Sequence, residues 1–413
     1  MNPAPQKKLK ILVLAGGADQ CALIQELQRR GHEVLLLDFL PNPPAKQLVS
    51  KHIQESTLDV EAVKDCVIKE GIDLICTGCT DQALLTVAKV SEDLSLPCYI
   101  SYEQARSVTN KTYMKDMMIK GHVPTSRYHT VESLDDINKC NDFPFPLVVK
   151  PADCNSSKGV TKVTSLSELR TAIENALALS RTSKAIVEEF KVGKEISADF
   201  YIQGDSPIFL SASESFKIPN RKGFTILGSY YEPLPQQDVN DLLEIAGRIT
   251  KAFNLCDTPL LVQLIQTDEG YSVIEFSARM GGGSKYRLIQ EISGVDIMAE
   301  YVNLILGEHP HISPVTNSCF IKMVYVYSYP GIIKAVEGTD KLKSDSVIKD
   351  YFVYKTPGNE VAKCETSSDR VLGYLVTAES RESLNAKVMK ANDGITVLDT
   401  DGHDIMMHNL ISE

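Results

Sequence analysis

The sequence predicts a multidomain protein of mixed α/β and α+β class, and two observations support this prediction. The length of 413 residues corresponds to two to four domains at roughly 100–200 residues per domain. The element pattern also changes along the chain, from strands alternating with helices to antiparallel hairpins. We therefore expect an N-terminal parallel-sheet domain over 1–106, a central domain over 107–313 and a small C-terminal α+β domain over 314–413.

The composition narrows the class of protein. Hydrophobic residues make up 43% and charged residues 23%, as in ordinary globular proteins. The net charge of −11 argues against nucleic acid as the main partner, because that binding needs a positive face. No apolar run approaches the roughly 20 residues that span a bilayer, and no secretory signal is seen. We expect a cytoplasmic protein with no membrane partner, whose ten cysteines are free thiols.

The first hundred residues alternate apolar strands with amphipathic helices, which indicates a parallel sheet covered on both faces. KILVL, HEVLLLD and IDLIC are the strands, and helices are expected over 22–30, 60–70 and 81–93. Such sheets bind ligands at the carboxyl ends of their strands. The Ala15–Gly17 turn followed by Asp38 shares the glycine turn and the acidic residue of a dinucleotide site but lacks the G-x-G-x-x-G fingerprint. The alternative is a tight turn beneath a ligand pocket. Cys76 and Cys79 form a single C-x-x-C pair, which is more typical of an ordinary loop than of a metal site or a redox pair.

The middle block carries features of a phosphate site. Lys111 begins a helix in NKTYMK, and Lys150 ends the apolar strand PLVVK. The loop over 155–159 that follows has small residues, whose backbone N–H groups can cradle an anion. Either lysine alone is typical of a surface residue, but Lys150 directly precedes this loop.

A further strand, VEEF, is followed by Glu195 in GKEIS. The polar edge of a strand end can pair with adenine through backbone groups, and a nearby carboxylate can accept hydrogen bonds from ribose. The alternative is that Glu188 and Glu189 are a solvated charge pair.

The segment LLVQLIQTDEGYSVIEFSARMGGG predicts a hairpin with polar side chains on its strands. Gln263 and Glu275 would lie on neighbouring strands, and Glu275 and Ser277 would share one face. Oxygen ligands of this kind suit Mg²⁺ (or Mn²⁺) bridging nucleotide phosphates. The alternative for Glu275 is a buried ion pair with Arg279.

The joint order of these motifs resembles the ATP-grasp superfamily, over nearly the whole chain. The C-terminal stretch DRVLGYLVTAESRESLNAK looks like the last domain of L-amino acid ligases and of the biotin-carboxylase-like branch. The resemblance implies a Rossmann-like pre-ATP-grasp domain, an ATP-grasp domain and a C-terminal α+β domain. It also implies ATP and Mg²⁺ as cofactors.

The resemblance assigns roles to the matching positions. Phosphates would be bound by Lys111 and Lys150, with a mobile loop containing Ser156, Ser157 and Gly159. Adenine would be held by Glu188, Glu189 and Phe190, and ribose by Glu195. Gln263 and Glu275 would bind metal, with Ser277 at the position of the usual asparagine. Gln263 replaces the more common carboxylate, and Cys154 sits where a less reactive small residue would be expected.

The implied chemistry is ligation of a small-molecule carboxylate, such as an amino acid, to an amine through an acyl phosphate. Arg279 and Lys150 would be catalytic, with Arg279 steadying the transferred phosphoryl group. Candidates for binding substrate are Lys217, Arg221, Gly281, Gly282 and Arg287. Homodimers are frequent among such relatives, so a homodimer is expected.

The sequence leaves two other hypotheses about function open. A biotin carboxylase-like enzyme would activate bicarbonate, although SARMGGG does not look like that branch. A non-catalytic ATP-binding protein would agree with Ser277 in place of asparagine, but Gln263, Glu275 and Arg279 argue against it.

Overall fold

The structure is a computed structural model that describes residues 7–154, 158–219, 224–362, 364 and 366–411. Its first elements are β1 (Lys10–Leu14), α1 (Ala18–Arg29), β2 (Glu33–Leu37), β3 (His52–Ile53), α2 (Val60–Glu70), β4 (Leu74–Cys76) and α3 (Asp81–Leu94). The strands form a parallel sheet in the order β3-β2-β1-β4. This confirms the predicted N-terminal parallel sheet. Ile11 and Val13 pack towards α1, whereas Leu12 and Leu14 pack towards α2 and α3.

Local signals in the sequence set the ends of these helices. The side chain of Asp59 accepts a hydrogen bond from the backbone N–H of Ala62 and so caps α2. Gly71 then ends α2 in the left-handed conformation, with φ of 63°. Ser101 and Gln104 form the predicted capping box of the next helix.

The central part begins with two helices and a small sheet. Its elements are α4 (Tyr102–Thr109), α5 (Lys111–Lys120), β5 (Tyr128–Val131), β6 (Leu147–Pro151), β7 (Thr161–Val163), α6 (Leu166–Leu179) and β8 (Ala185–Glu189). The strands pair antiparallel in the order β5-β8-β6-β7, which we call the small sheet. Leu169, Ile173 and Ala176 of α6 pack in its core.

A larger antiparallel sheet follows. The next elements are β9 (Lys194–Gln203), β10 (Ser206–Lys217), β11 (Ile226–Tyr231), α7 (Gln236–Ala252), β12 (Thr258–Thr267), β13 (Gly270–Ser277), α8 (Lys285–Ser293) and α9 (Ile297–Ile305). The last are β14 (Phe320–Val326), β15 (Gly331–Glu337), α10 (Thr339–Ser344), β16 (Asp350–Val353), β17 (Glu360–Val361), β18 (Leu372–Ala378), α11 (Arg381–Gly394) and β19 (Thr396–Asp399). The large sheet runs β13-β12-β9-β10-β11-β14-β18-β16, and β17-β15-β19 form a separate one.

The large sheet continues across the expected boundary between residues 313 and 314. Strand β11 pairs with β14 in an antiparallel register that places Gly228 opposite Val324. Strands from the expected central and C-terminal domains therefore share one sheet. The division into three domains stays a prediction.

The two faces of the large sheet differ in polarity. Ala198, Phe200, Val262 and Phe276 pack on one face against α4, α5 and α7. Because side chains alternate along a strand, the residues between them lie on the other face. On that face Ser213, Ser197, Gln263 and Glu275 are aligned across four neighbouring strands.

One sequence expectation about this sheet is wrong. The stretch 214–235 was expected to be irregular, but it contains the end of β10 and all of β11. In the segment SESFK, Ser213 and Ser215 lie on the polar face of β10, so the segment lacks the apolar pattern of a buried strand. Within the described part of the chain, no helix is long and apolar enough to cross a membrane.

Candidate active site

A cavity of about 350 Å³ lies between the small sheet and the polar face of the large sheet. We call it the inter-sheet cavity. Its walls come from β6 and β8 on one side and from β9, β10, β12 and β13 on the other. The predicted site residues that line it are Lys111, Lys150, Glu188, Glu189, Phe190, Glu195, Lys217, Gln263 and Glu275.

A buried group of two lysines and one glutamate adjoins this cavity, and two of its members, Lys150 and Glu188, line it. Lys150 Nζ lies 2.6 Å from Glu188 Oε1, and Lys115 Nζ lies 2.7 Å from Glu188 Oε2. Burial alone would raise the pKa of Glu188, but the two lysines outweigh burial and lower the pKa to about 2. The carboxylate is therefore ionised near neutral pH, and it is not part of a solvated charge pair.

A second ion pair enters the cavity from the start of α5. Asn110 accepts a hydrogen bond from the backbone N–H of Tyr113 and fixes this helix end. Lys111 Nζ lies 3.2 Å from Glu275 Oε2 and donates to the carbonyl of Cys154 at 2.9 Å. Burial opposes the charge of Lys111, but Glu275 and Asp81 outweigh it and raise the pKa of Lys111. Both partners are thus charged.

The residues predicted to hold adenine lie at one end of the inter-sheet cavity. Glu189 pairs with Arg127 at 2.5 Å, and Lys162 Nζ lies 3.9 Å from the ring centroid of Phe190. The backbone N–H of Phe190 donates to the carbonyl of Pro146 at 3.3 Å. This N–H is therefore already hydrogen-bonded within the protein.

Glu195 and Lys217 form an ion pair across two neighbouring strands. Lys217 Nζ lies 2.5 Å from Glu195 Oε2 and 4.5 Å from the ring centroid of Phe224. Lys217 was expected among the substrate residues. The structure instead places it in the inter-sheet cavity, beside the residue predicted to bind ribose.

The predicted metal ligands lie on the β12–β13 hairpin, as expected from the sequence. Gln263 is directly opposite Glu275, and a register shift follows Gln263. An amide oxygen and a carboxylate oxygen on one polar face fit a hard cation such as Mg²⁺. Ser277 is buried next to Asp81, and its hydroxyl helps to lower the pKa of the Asp81 carboxyl. The fit to a metal therefore rests mainly on Gln263 and Glu275.

Arg279 is held by a residue from the N-terminal sheet. Its Nε donates to Asp81 Oδ1 at 2.7 Å and its Nη2 to Asp81 Oδ2 at 2.5 Å. Its Nη1 donates to the carbonyl of Met280 at 2.6 Å. Burial would weaken the charge, but Asp81 outweighs it and raises the pKa of Arg279. The alternative of a Glu275–Arg279 pair is wrong, because Glu275 pairs with Lys111.

The glycine-rich turn after Arg279 is held from both sides. Asp19 accepts hydrogen bonds from the backbone N–H groups of Gly283 at 3.0 Å and Ser284 at 2.7 Å. On the other side, Lys285 donates to Ser213 at 2.9 Å and lies 3.5 Å from Asp199. Any side chain at Gly283 would strike Arg370, because its Cβ would lie 2.5 Å from Arg370 Nη1.

A second cavity, of about 580 Å³, lies at the carboxyl edge of the N-terminal parallel sheet. We call it the edge cavity. It is lined by Gly17, Asp19, Asn42, Gly283, Tyr354, Lys355, Asn359 and Arg370, among others. The guanidinium of Arg370 lies 3.6 Å from the ring centroid of Tyr325. Its Nε is buried and has no hydrogen-bond partner among the described residues.

Gly283 of this turn lines the edge cavity, and the turn contains two of the predicted substrate residues. A Cβ at Gly281 would lie 3.5 Å from Asp199 Oδ1, and one at Gly282 would lie 3.6 Å from Asp19 Oδ2. Arg287 lies on α8, 3.5 Å from Asp350, and lines neither cavity in the described part of the chain. A role for Arg287 in substrate binding stays a prediction.

The phosphate loop is described only in part. Ser156, Ser157 and Arg221 lie outside the described residues. Gly159 has φ of 74°, and a Cβ there would lie 2.7 Å from a methyl group of Leu179, so this position requires glycine.

Two alternatives from the N-terminal sequence are not supported. Asp38 accepts hydrogen bonds from the backbone N–H groups of Gly16 and Leu40, both at 2.7 Å. It therefore stabilises a tight turn. Cys76 and Cys79 are free thiols, and burial raises the pKa of both. Neither has the exposed thiolate character of a redox pair.

Several residues of the site were missed by the sequence analysis: Asp19, Asp81, Lys115, Lys285 and Arg370. Asp81 carried a signal, since it is an acidic residue at a helix start directly after a parallel strand. Lys115 carried one too, because it lies four residues after Lys111 and so on the same face of α5.

Comparison with known families identifies this architecture. Residues 109–283 match the family model "Phosphoribosylglycinamide synthetase, ATP-grasp (A) domain", and residues 324–398 match "L-amino acid ligase C-terminal domain 2". These matches confirm the predicted resemblance to the ATP-grasp superfamily. The predicted fold class and the predicted class of enzyme, an ATP-grasp ligase, are confirmed at the level of this superfamily.

Individual relatives are similar to this chain over most of its length. It is 26% identical over 393 residues to phosphoribosylamine–glycine ligase of Streptomyces coelicolor, covering 89% of this chain and 91% of the relative. The crystal structure of L-amino acid ligase from Bacillus licheniformis superposes with a TM-score of 0.76 at 18% identity, over 96% and 100% of the two chains.

The biotin carboxylase domain of Hydrogenobacter thermophilus 2-oxoglutarate carboxylase superposes with a TM-score of 0.80. The identity is 14%, over 98% of this chain and 93% of that domain. That domain was crystallised with MgADP. The prediction of ATP and Mg²⁺ as cofactors is confirmed at the level of the superfamily by the match to the ATP-grasp domain model.

Proposed function

We propose that this ATP-grasp chain is a carboxylate–amine ligase that activates a small-molecule carboxylate as an acyl phosphate, releasing ADP and phosphate. The observation that carries the proposal is the position of Arg279. It lies two residues beyond the β13 strand that carries Glu275, and it begins the turn that borders the edge cavity. Cationic groups are thus placed along a path from a nucleotide site to a substrate site.

The inter-sheet cavity is the proposed nucleotide site. Lys150 and Lys111 bring ammonium groups that bind phosphate oxygens, and Glu195 lies where it can accept hydrogen bonds from ribose hydroxyls. Gln263 and Glu275 would hold Mg²⁺, which supplies charge neutralisation at the phosphates when bound. Lys111 would then share Glu275 with the metal, since a carboxylate has two oxygens to offer.

The transferred phosphoryl group would lie next to Arg279. Asp81 uses the Nε–H and one Nη2–H, and Met280 uses one Nη1–H, so two N–H groups remain for phosphate oxygens. Because Asp81 accepts two hydrogen bonds from the guanidinium and so fixes its orientation, the two remaining N–H donors of Arg279 point in a fixed direction. Donors held in place before the reaction stabilise developing charge without a reorganisation cost.

The edge cavity is the proposed substrate site. Arg370 lines this cavity and offers its guanidinium cation to an anionic group, and Asp19 holds the Gly283–Ser284 turn beside the cavity. In the proposed reaction a carboxylate oxygen of the substrate attacks the γ-phosphorus, and the bond to the ADP oxygen breaks. An amine nitrogen then attacks the acyl carbon, phosphate leaves with the former carboxylate oxygen, and the nitrogen loses a proton.

The substrates are proposed from the relatives. The names of two of them point to phosphoribosylamine with glycine, and to L-amino acids. We propose a small carboxylate and a small amine, of which at least one is an amino acid. A homodimer and a cytoplasmic location stay predictions.

The test is phosphate release from Mg-ATP with amino acids singly, in pairs, and with phosphoribosylamine generated in the assay. Release that requires two compounds, with a product one water lighter than their sum, supports the proposal. Release that requires bicarbonate alone supports the biotin carboxylase-like alternative. ATP binding without phosphate release in any pool, including a wider carboxylate screen, contradicts the ligase.

A further inference from the structure

Lys115 is a buried lysine that lines neither cavity. It lies one helical turn after Lys111 on α5 and is 1% exposed. Its ammonium makes the ion pair with Glu188 at 2.7 Å and donates to Thr125 Oγ1 at 2.7 Å. A buried lysine is costly unless it is paired, so its position in the fold needs an explanation.

Glu188 is shared between two lysines that reach it from opposite sides. Lys150 Nζ binds one carboxylate oxygen and Lys115 Nζ the other. Two ammonium groups and one carboxylate give this group a net charge of +1. Without Lys115, the Lys150–Glu188 pair would be neutral.

This charge balance matters because Lys150 and Glu188 line the inter-sheet cavity. The second ion pair there, Lys111 with Glu275, is neutral as a pair. The cavity wall therefore has a net positive charge at Lys150 only because Lys115 is present. Lys115 itself does not reach the cavity.

We propose that Lys115 is a positioning residue that offsets the charge of Glu188, so that Lys150 keeps its positive charge available to nucleotide phosphates. The proposal rests on the proposed nucleotide site. Lys115 acts through Glu188 and not by touching the nucleotide.

A purely structural role makes a different prediction. Thr125, which accepts from Lys115, donates its own hydroxyl proton to the carbonyl of Val273 at 2.7 Å. Lys115 thus also ties α5 to β8 of the small sheet and β13 of the large sheet. If this tie were its only role, removing Lys115 would disturb the whole cavity, and adenosine would be affected as strongly as ADP.

The experiment is calorimetric binding of MgADP and of adenosine, which needs no turnover. Lys115→Met keeps the length of the side chain and removes the charge. The matched control is Lys120→Met, the same substitution at an exposed position of the same helix. The double variant Lys115→Met with Glu188→Gln restores the net charge of +1, because Lys150 is then the only charged member of the group.

We expect Lys115→Met to weaken ADP binding about tenfold, which is the scale expected when one positive charge near the phosphates is lost. Adenosine has no phosphates, so its binding should change by less than about twofold. Lys120→Met should match the unmodified protein. The double variant should recover ADP binding to within about threefold of the unmodified protein, even if the single variant folds poorly.

Equal weakening for ADP and adenosine, or no recovery in the double variant, would overturn the proposal in favour of a structural tie. If the unmodified protein binds neither ATP nor ADP, the proposed nucleotide site itself is wrong. Normal ADP binding by Lys115→Met would overturn only the role of Lys115.

Discussion

The inter-sheet cavity and the edge cavity differ in how their charges are balanced. Each charged residue lining the inter-sheet cavity has a described partner of opposite charge, as in the Lys111–Glu275, Lys150–Glu188 and Glu195–Lys217 pairs. The edge cavity contains Arg370, which makes no ion pair with a carboxylate among the described residues and instead stacks on Tyr325.

This difference indicates two kinds of ligand. A cavity built from ion pairs suits a ligand that brings both signs of charge, such as a polyphosphate with its metal. A cavity with an unpaired cation suits a ligand with a single anionic group. Four substitutions, given from the largest expected effect to the smallest, test whether the two cavities have these separate roles.

Glu275→Ala should abolish ATP turnover, by about three orders of magnitude or more, because it removes a metal ligand and the partner of Lys111. The measurement is phosphate release at saturating substrates. Glu269→Ala, an exposed position in the turn of the same hairpin, is the matched control. Full turnover by Glu275→Ala would refute the metal assignment.

Arg279→Lys should lower kcat about 100-fold while changing the Kd for ADP by less than about twofold. A lysine cannot reproduce the two parallel hydrogen bonds to Asp81, so the remaining donors lose their direction. Arg170→Lys, at an exposed position of α6, provides the control. A loss confined to nucleotide binding would place Arg279 in the nucleotide site alone.

Arg370→Gln should raise the KM of the substrate that carries the anionic group about 20-fold, with the KM for ATP unchanged. The comparison of the two KM values is the measurement, since it separates the edge cavity from the inter-sheet cavity. Arg381→Gln, which removes an exposed ion pair with Glu232, should leave both values unchanged. A shift in the KM for ATP would contradict the separation.

Ser277→Asn should change turnover by less than about threefold. Ser277 is buried beside Asp81, and the metal site rests on Gln263 and Glu275, so the serine is a minor part of the site. A titration of activity against Mg²⁺ concentration checks this directly. A gain of activity of more than tenfold would mean that the serine weakens the metal site.

The sequence predicted the features that depend on short stretches of chain. Helix α2 begins at Val60 and ends at Glu70 as expected, because Asp59 caps it and Gly71 ends it. The β12–β13 hairpin places Gln263 opposite Glu275 because alternation and a short turn determine the register. These local signals were enough to assemble most of the inter-sheet cavity.

The remaining features depend on residues that are distant in sequence. Asp81 meets Arg279 across 198 positions, and Asp19 meets Ser284 across 265. No local periodicity encodes such pairs, so these contacts beside the edge cavity were not predicted, although a ligand site at the carboxyl ends of the N-terminal strands was expected. Strand β11 was also missed; it pairs with the preceding strand β10 and with β14 in the last part of the chain.

The most direct test of the proposed function uses a carboxylate substrate labelled with ¹⁸O in the carboxyl group, once the substrates have been found. Because the carboxylate oxygen attacks the γ-phosphorus and leaves with the phosphate, the account predicts one ¹⁸O atom in each phosphate released, measured by mass spectrometry. Phosphate without ¹⁸O, formed at the same rate as the amide product, would contradict an acyl phosphate route.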